Sequence, residues 1–369
     1  RDFGFAIFAC RIAKQLNVDL IQTHERLSGC DIYRAGDGVH REWLKQKARS
    51  MHWFNRQFMR ISPYNLYVQW AERRMFENKS LKAVICNSNM VKQEILSYFQ
   101  IDEHKIHTIY NGIDSQAFKP SPASEKRSYL QNWNIPNEAQ VFLFVGSGFE
   151  RKGLQQAIIA LSGLPATNIL AIIGYDKQEQ KYRKLVDKLN IADRVLFLGS
   201  QNDVRPFYAL ADVFVLPTLY DPFPNACLEA MACGLPIITS EKSGTAEILD
   251  GQAGFSCDSQ DIQALTRSML ALSDKSLAMQ MGQQARQIAK KYDWSLIGDV
   301  SKFVSIIGTI NMKIVHTEAS LGFGGQEMRI LNEAQGLQKR GHQVTLLCPK
   351  HAEIYAIAKS RGLNAVDLP

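Results

Sequence analysis

The sequence predicts an α/β protein built from two doubly wound parallel sheets, and three observations carry that prediction. The chain has 369 residues, more than one ordinary core accommodates and about the length of two α/β domains. From residue 140 onward, short apolar runs alternate with helix-length amphipathic segments, the pattern of a parallel sheet buried on both faces. A glycine-rich turn, VGSGFERKG (145–153), joins one such run to a helix, which is where open α/β sheets place ligands.

The elements follow in order. FGFAIFACRIAKQL (3–16) has helical spacing, and VDLIQTH (18–24) reads as a strand ending in polar residues. Basic and aromatic helical segments fill 40–79. A strand (81–87), a helix (89–99) and a short strand (106–110) come next. KPSPASEKRSYLQNWNIPNE (119–138), with three prolines and little apolar content, reads as a linker. Strands are expected at 140–146, 168–174, 194–198, 212–216 and 235–239. Helices are expected at 153–162, 178–190, 203–211, 225–233, around 244–249, at 260–272 and at 277–291. Near the end, MKIVHTEASLGFGGQEMRILNEAQGL (312–337) reads as a strand (313–317), a loop with Gly322, Gly324 and Gly325, and a helix. Many α/β proteins begin this way, so two origins are open: a truncated frame running into a neighbouring one, or a circular permutation with 312–369 supplying the first domain's opening strands.

Composition narrows the function classes. Hydrophobic residues make up 46% and charged residues 21%, a globular balance. No apolar run reaches the ~18–20 residues of a membrane-spanning helix. No signal-peptide pattern opens the chain. The seven cysteines are scattered without a CxxC pair, so reduced thiols are expected rather than disulfides or a zinc site. Of the net +7, residues 1–80 carry +6 (14 Lys/Arg against 8 Asp/Glu), so an electrostatic partner would meet the N-terminal part.

Five constellations carry chemistry. In 145–153, Gly146, Gly148 and Gly153 let backbone approach a ligand, and Arg151 and Lys152 put two cations beside a helix start, which suits a diphosphate. The G-x-G-x4-G spacing is not the dinucleotide GxGxxG, which lowers an oxidoreductase reading; a plain strand–helix turn with solvated cations is the alternative. In LYDPFPNACLEAMACGLPIITS (219–240), Asp221 and Glu229 lie eight apart, with Asn225 expected as helix N-cap and Gly234 and Pro236 as the stop. There a carboxylate could hold ribose hydroxyls while amides at 223–226, including Phe223, Asn225 and Ala226, hold a phosphate. SGTAEILDGQAGF (243–255) is another loop-to-helix entry, unspecific by itself. THERLSGCDIYRAGDGVH (23–40) gathers His24, Glu25, Arg26, Asp31, Arg34, Asp37 and His40, a possible acceptor site with acid/base capability, though a histidine at a strand end is more often ordinary structure. No HxxxH or HExxH suggests a metal. Finally, 41–70 interleaves Lys45, Lys47 and Arg56 with Trp43, Trp53, Phe54, Phe58, Tyr64 and Trp70. Such stretches meet anionic membrane surfaces, which is the expectation here; the alternative is domain helices whose rings face a core. Nucleic acid is disfavoured because the basic excess is confined to 41–60.

Together these motifs resemble the retaining family-4 glycosyltransferases of GT-B architecture, over about 1–300 in order. VGSGFERKG is similar to that family's diphosphate loop, and Asp221-x7-Glu229 to its E-x7-E motif. IYNGIDSQAF (109–118) resembles its hinge-side signature, ICNSNMVKQEI (85–95) another typical segment, and GFGGQE (322–327) its donor-side glycine loop in permuted order. HERLSGCDIYRAGD with the basic-aromatic stretch resembles the lipopolysaccharide core glucosyltransferases within the family.

The resemblance implies two Rossmann-like domains facing a cleft, the first permuted or truncated. It implies an acceptor-side domain at 1–122, a nucleotide-sugar domain at 123–297, a connector at 298–311, and 312–369 docking on the first domain. It implies retaining transfer of a hexose, glucose from UDP-glucose, to an inner-core heptose, by a front-face route without a protein nucleophile, cofactor or metal. Arg151 and Lys152 would neutralise the leaving diphosphate, Glu229 would hold the ribose, Asp221 the donor sugar and Asp37 the acceptor side. Asp221 is one methylene shorter than the family's first acid. The enzyme would be cytoplasmic and peripheral on the inner membrane face. The alternative is a truncated or fused chain that only binds UDP or its sugar.

Overall fold

The computed structural model describes residues 8–9, 12–13, 15–294, 311–322 and 324–368. These form two compact units, one holding most of 1–110 together with the residues after 297, the other essentially 111–297. Residues 3–7 of the helix expected at 3–16, and most of the expected connector, lie outside the described residues; Phe8, Ala9, Ile12, Ala13 and Gln15 are helical.

Up to residue 110 the chain runs β1 (Leu20–Thr23), β2 (Ile32–Ala35), α1 (His40–Arg49), α2 (Trp53–Ile61), α3 (Pro63–Phe76), β3 (Ala83–Cys86), α4 (Asn89–Tyr98) and β4 (Ile106–Thr108), all in the first unit but for Lys45–Met51. In the second unit come α5 (Ala123–Asn132), β5 (Gln140–Val145), α6 (Phe149–Lys152), α7 (Leu154–Ser162), β6 (Asn168–Ile173), α8 (Glu179–Lys188), β7 (Val195–Phe197) and α9 (Arg205–Leu210). It continues with β8 (Val213–Leu216), α10 (Asn225–Ala232), β9 (Ile237–Ser240), β10 (Gly254–Cys257), α11 (Ile262–Ala271) and α12 (Lys275–Lys290). The chain then supplies β11 (Lys313–Thr317), α13 (Gly325–Lys339), β12 (Gln343–Cys348), α14 (Glu353–Ser360) and β13 (Asn364–Asp367) to the first unit.

The first sheet has seven parallel strands in the order β13-β12-β11-β1-β2-β3-β4, and the second has six in the order β10-β9-β8-β5-β6-β7. Both follow the doubly wound layout in which the order reverses beside the founding strand, opening a crevice at the strands' carboxyl ends. In the second sheet the reversal lies between β5 and β8. In the first it lies between β11 and β1, paired with Leu20 opposite Ile314 and Thr23 opposite Thr317. One face of the first sheet packs Leu20, Ile32 and Ile85 against Ile330, Leu331 and Leu337 of α13 and Ile354 of α14. The other packs Tyr33, Val84 and Cys86 against Met75, Phe76, Val91 and Ile95.

Three sequence expectations change. β2 lies inside the 23–40 block, where no strand is expected from the sequence, because four residues containing Arg34 give too short a periodic signal. β10 is likewise missed, only Gly254 and Cys257 of its four residues being buried. The stretch read as a linker contains α5, whose Leu130 is buried; α5 packs against α9, Trp133 just beyond it meeting the Phe207 ring at 5.7 Å between centroids.

In the second unit, α10 and α12 meet backbone to backbone. A side-chain carbon built on Gly282 would sit 2.1 Å from the Gly234 carbonyl oxygen, so α12 tolerates no side chain at that crossing. Arg286 of α12 donates to the carbonyls of Ala232 (2.6 Å), Phe118 (2.8 Å) and Ser115 (2.9 Å), satisfying the end of α10.

Candidate active site

The glycine-rich turn leaves β5 at Val145 and enters α6 through Gly148, whose φ of 74° puts it in the left-handed region. The chain changes direction again at Gly153 (φ 79°). A side-chain carbon there would lie 2.0 Å from the Pro217 carbonyl oxygen, so only glycine lets this turn lie against the end of β8. The Arg151 carbonyl accepts from the Leu219 amide (2.8 Å) and the Thr218 hydroxyl (2.9 Å), which locks the two loops together. Gly146 stands against the Lys152 stem, 3.3 Å from where its side-chain carbon would be.

Asp221 follows directly in the second loop and is 6% exposed. Its Oδ2 accepts from Lys152 Nζ at 2.5 Å and from Arg151 Nη1 at 3.2 Å. Burial alone would push its carboxyl up, but the two cations, with hydrogen bonds from Lys152 and the Phe223 amide, hold it below the usual carboxylate range. The structure thus joins two motifs that the sequence presents 70 residues apart. Asp221, expected on the donor sugar, is engaged by the two cations; an ionised carboxylate has about four lone-pair sites, so capacity remains for a hydroxyl donor.

The loop then enters α10. Asn225 is not the N-cap expected: Pro224 takes that place, and Asn225 is the first helical residue. Its Oδ1 accepts from Asn111 Nδ2 at 2.7 Å, and the same amide group donates to the Phe223 carbonyl at 3.2 Å. Phe223's own amide is taken by Asp221, so of the amides expected to face a phosphate it is already committed. Those of Asn225 and Ala226 lie in the first turn, with no carbonyl four residues back inside the helix. Glu229 sits one turn inside. Its Oε2 accepts from the Tyr208 hydroxyl at 2.8 Å, and burial raises its carboxyl despite that bond. Tyr208 and Asn111 escaped the sequence reading. Tyr208 sits on an apolar helix that reads as core, and Asn111 sits in IYNGIDSQAF, where nothing local ties it to α10.

The first unit has its own cavity, 410 Å³, at the carboxyl ends of β11, β1 and β2. His24, Glu25, Arg26 and Asp37 of the 23–40 block line it, and Glu318, Gln326 and Glu327 join them from the C-terminal segment. Glu25 accepts from Thr317 Oγ1 (2.8 Å), Thr23 Oγ1 (3.1 Å) and the Ala319 amide (2.6 Å). Glu318 accepts from the Ser320 amide and Gln326 Nε2, both at 2.8 Å. Burial first, and then the Glu318 charge, raise Glu25 to about 8; burial raises Glu318 too. Arg26 bonds Glu72 at 2.9 Å and lies 3.8 Å from Asp37. His24 is 6% exposed, neither ring nitrogen has a hydrogen-bond partner, and burial, aided by Arg329 and Arg34, holds it well below its usual value.

Other members of that block are used structurally. Asp31 binds the Ile21 amide (2.9 Å) and Lys82 (2.8 Å), Arg34 is buried, and His40 pairs with Asn65 (3.0 Å). Trp43, Lys45 and Lys47 lie on α1, with Trp43 and Lys47 half-buried and Lys45 exposed. On α2, Arg56 and Trp53 are exposed, and so are Phe54, Phe58 and Ile61, which departs from the alternative that these rings face a core. Among the described residues, no three His, Cys, Asp or Glu side chains gather closely enough to hold a metal ion, and no helix is long and apolar enough to cross a membrane.

Comparison with known proteins agrees with this arrangement. A Glycosyltransferase Family 4 model matches residues 1–117, and a Glycosyl transferases group 1 model matches 125–288. The lipopolysaccharide glucosyltransferase WaaG of Escherichia coli K12 is 26% identical over 288 residues, 76% of this chain and 75% of its own. A crystal structure of WaaG superposes with a TM-score of 0.70 at 25% identity, covering 81% of each chain. HepE of Anabaena, crystallised with UDP and glucose, shares the fold at a TM-score of 0.59 and 22% identity, covering 75% of this chain and 78% of its own. The two matched domains and the two Rossmann-like sheets make this chain a glycosyltransferase of GT-B type, with a family 4 domain followed by a group 1 domain.

Proposed function

We propose that the chain moves glucose from UDP-glucose to a heptose of a lipopolysaccharide inner core, with retention. The observation that carries this is the cluster of Arg151, Lys152 and Asp221 against the first turn of α10. Two cations and first-turn amides make a diphosphate site, and Glu229, steadied by Tyr208, can accept from both ribose hydroxyls. Asp221 keeps Lys152 and Arg151 in place before the donor arrives and offers its remaining lone pairs to the sugar. Because bond cleavage builds charge on the departing diphosphate, preorganised cations lower the barrier, commonly by ~3 kcal/mol for one such group. On this reading the two cations do the work of a metal ion, and the loop glycines, Gly146 and Gly148, make room for phosphate.

The first-unit cavity, with Asp37 at its rim, receives the acceptor, and β11–β13 serve as that domain's opening strands, as their place in the first sheet supports. The exposed rings of α2 (Trp53, Phe54, Phe58), with Arg56 and Lys45 nearby in sequence, rest on an anionic membrane surface at the cytoplasmic face. The likeness to WaaG, a lipopolysaccharide glucosyltransferase, supports glucose as the sugar moved and lipopolysaccharide as the acceptor. The test is UDP release from UDP-glucose with and without lipopolysaccharide truncated at the inner-core heptoses. Acceptor-dependent release is expected; UDP binding with no release at any acceptor concentration would leave a nucleotide-binding protein and no transferase.

A further inference from the structure

The second unit carries a cavity of about 490 Å³ lined by none of Arg151, Lys152, Asp221 or Glu229. Its walls are the end of α5, the start of α9 and the loop 200–203 that follows β7. These walls are fixed. Trp133 closes α5, Asn134 turns the chain back at a φ of 53°, and the Ile135 amide returns to the Leu130 carbonyl at 2.9 Å. Gln201 Nε2 donates to the Leu198 carbonyl at 2.6 Å and so ties the loop to the end of β7.

The lining offers two kinds of surface and no uncompensated charge. The Trp133 ring is 37% exposed and backed by the buried Phe207 ring at 5.7 Å between centroids, and the half-buried Tyr129 lines the same cavity. With them stand the side-chain amides of Asn132 and Asn202 and the Ser200 hydroxyl, all exposed and, among the described residues, without a side-chain hydrogen-bond partner. The charged group of the lining, Asp203, is cancelled by Arg205, whose Nε and Nη2 both reach it at 2.8 Å. An ion would find no counter-charge here, and an aliphatic ligand would strip water from the amides without replacing its bonds. A sugar ring matches both surfaces. Its C–H face covers an aromatic ring, and its edge hydroxyls donate to and accept from amides.

We propose that this cavity is an auxiliary saccharide site, which holds an uncharged sugar unit against Trp133 while Asn132, Ser200 and Asn202 bond its hydroxyls. The residues assigned to the donor lie outside the lining, so the unit held here is one that does not react. The site retains a glycan by a second residue and keeps the protein on it between encounters. It does not depend on the transfer proposed above.

NMR on the full chain tests it, with maltotriose as the probe, saturation transfer to the sugar reporting affinity and the indole N–H signals reporting place. The indole signal lost in Trp133→Phe identifies Trp133. Maltotriose should shift that signal equally with and without saturating UDP. Trp133→Ala should weaken binding about tenfold, the scale of an aromatic contact, whereas Trp133→Phe keeps a ring and should stay within about threefold. Asn202→Ala should cost about threefold, one neutral hydrogen bond. Its side chain is exposed, so this variant reads out even if the Trp133 variants misfold. No shift at about 20 mM maltotriose, well above a millimolar Kd, would overturn the site. So would displacement of the sugar by UDP, or an affinity that neither Trp133→Ala nor Asn202→Ala changes. A proline-rich peptide that shifts the Trp133 signal where maltotriose does not would assign the cavity to a protein partner instead.

Discussion

The second sheet reverses its order between β5 and β8, which read QVFLFV and VFVL; the first reverses between β11 and β1, which read KIVHT and LIQT. The layouts match and the chemistry does not. The second pair is held by apolar burial. At the first, Thr23 and Thr317 hydroxyls meet at 2.8 Å, both reach Glu25, Gln22 bonds Glu333 at 3.2 Å, and His24 and His316 are buried beside them. Thr23 and Thr317 lie 294 residues apart, whereas the strands of the second sheet follow one another along the chain. Apolar strands pair with any apolar neighbour. A polar seam pairs only with the partner that satisfies it, at the cost of slow, long-range closure.

The largest effect should come from breaking the seam. Ending the chain at Asn311 removes β11–β13 and leaves β1 as an edge with its polar groups unmet. Calorimetry should then lose the first unit's cooperative transition and keep one that UDP raises. Two unchanged transitions would mean that the C-terminal strands add nothing to the first core.

Next in size is Lys152→Ala, which tests the second reversal alone. A drop in kcat of about 10²-fold or more is expected, with little change in donor KM; near-normal turnover would remove the diphosphate role. Tyr208→Phe leaves Glu229 without its hydroxyl partner and should weaken UDP binding by about tenfold, on the scale of a hydrogen bond to a charged group. An unchanged Kd by titration calorimetry would show that Glu229 needs no support.

How much of this was legible depended on where the information lay. The second sheet could be read from LFV, LAII and VFVL because each strand's burial is written in its own residues. So could the glycine-rich turn at 145–153, whose glycines and cations are contiguous. β2 could not, since Arg34 interrupts a four-residue run, and a buried arginine is explained only by the neighbours that the fold brings to it. The Asp221–Lys152 pair and the Asn111–Asn225 bond are likewise products of folding. Asn225 carries the residue type of a cap and spends it on Asn111, a competition invisible in a local window. Glu318 left one usable hint: an acid directly after a strand, as Glu25 comes two residues after β1.

Smaller effects should separate the two units further. Thr317→Val removes one buried hydroxyl from the seam and should cost about 1 kcal/mol in the first transition only. A matching loss in the UDP-sensitive transition would show the seam is not local. The units should also differ in pH response. Glu25 is raised from 4.5 to about 8, so its folded form holds a proton that its unfolded form gives up. Its contribution is complete below pH 4.5 and is lost as pH rises toward 8. Asp221 is lowered, so its contribution is present above 3.8 and is lost as pH falls further. Glu229 shares the sign of Glu25 within the second unit. Glu25→Gln should therefore flatten the first transition's decline between pH 5 and 8; an unaltered pH profile by thermal melts would assign that decline to other groups.

The crossing of Gly234 and Gly282 has a consequence for hydrogen exchange. Helix α10 carries Glu229, and its end is clamped by the close approach of Gly234 to Gly282 and by an Arg286 bond to the Ala232 carbonyl, the same guanidinium also holding the carbonyls of Phe118 and Ser115. A helix held that way has no room to fray or slide on its own, so its amides are freed only when the whole unit opens. The amides that exchange slowest with solvent deuterium in the second unit will then be those of the helix bearing Glu229, the carboxylate proposed for the ribose. Most proteins draw their binding elements from segments that open readily; this one places its own on the part that opens last.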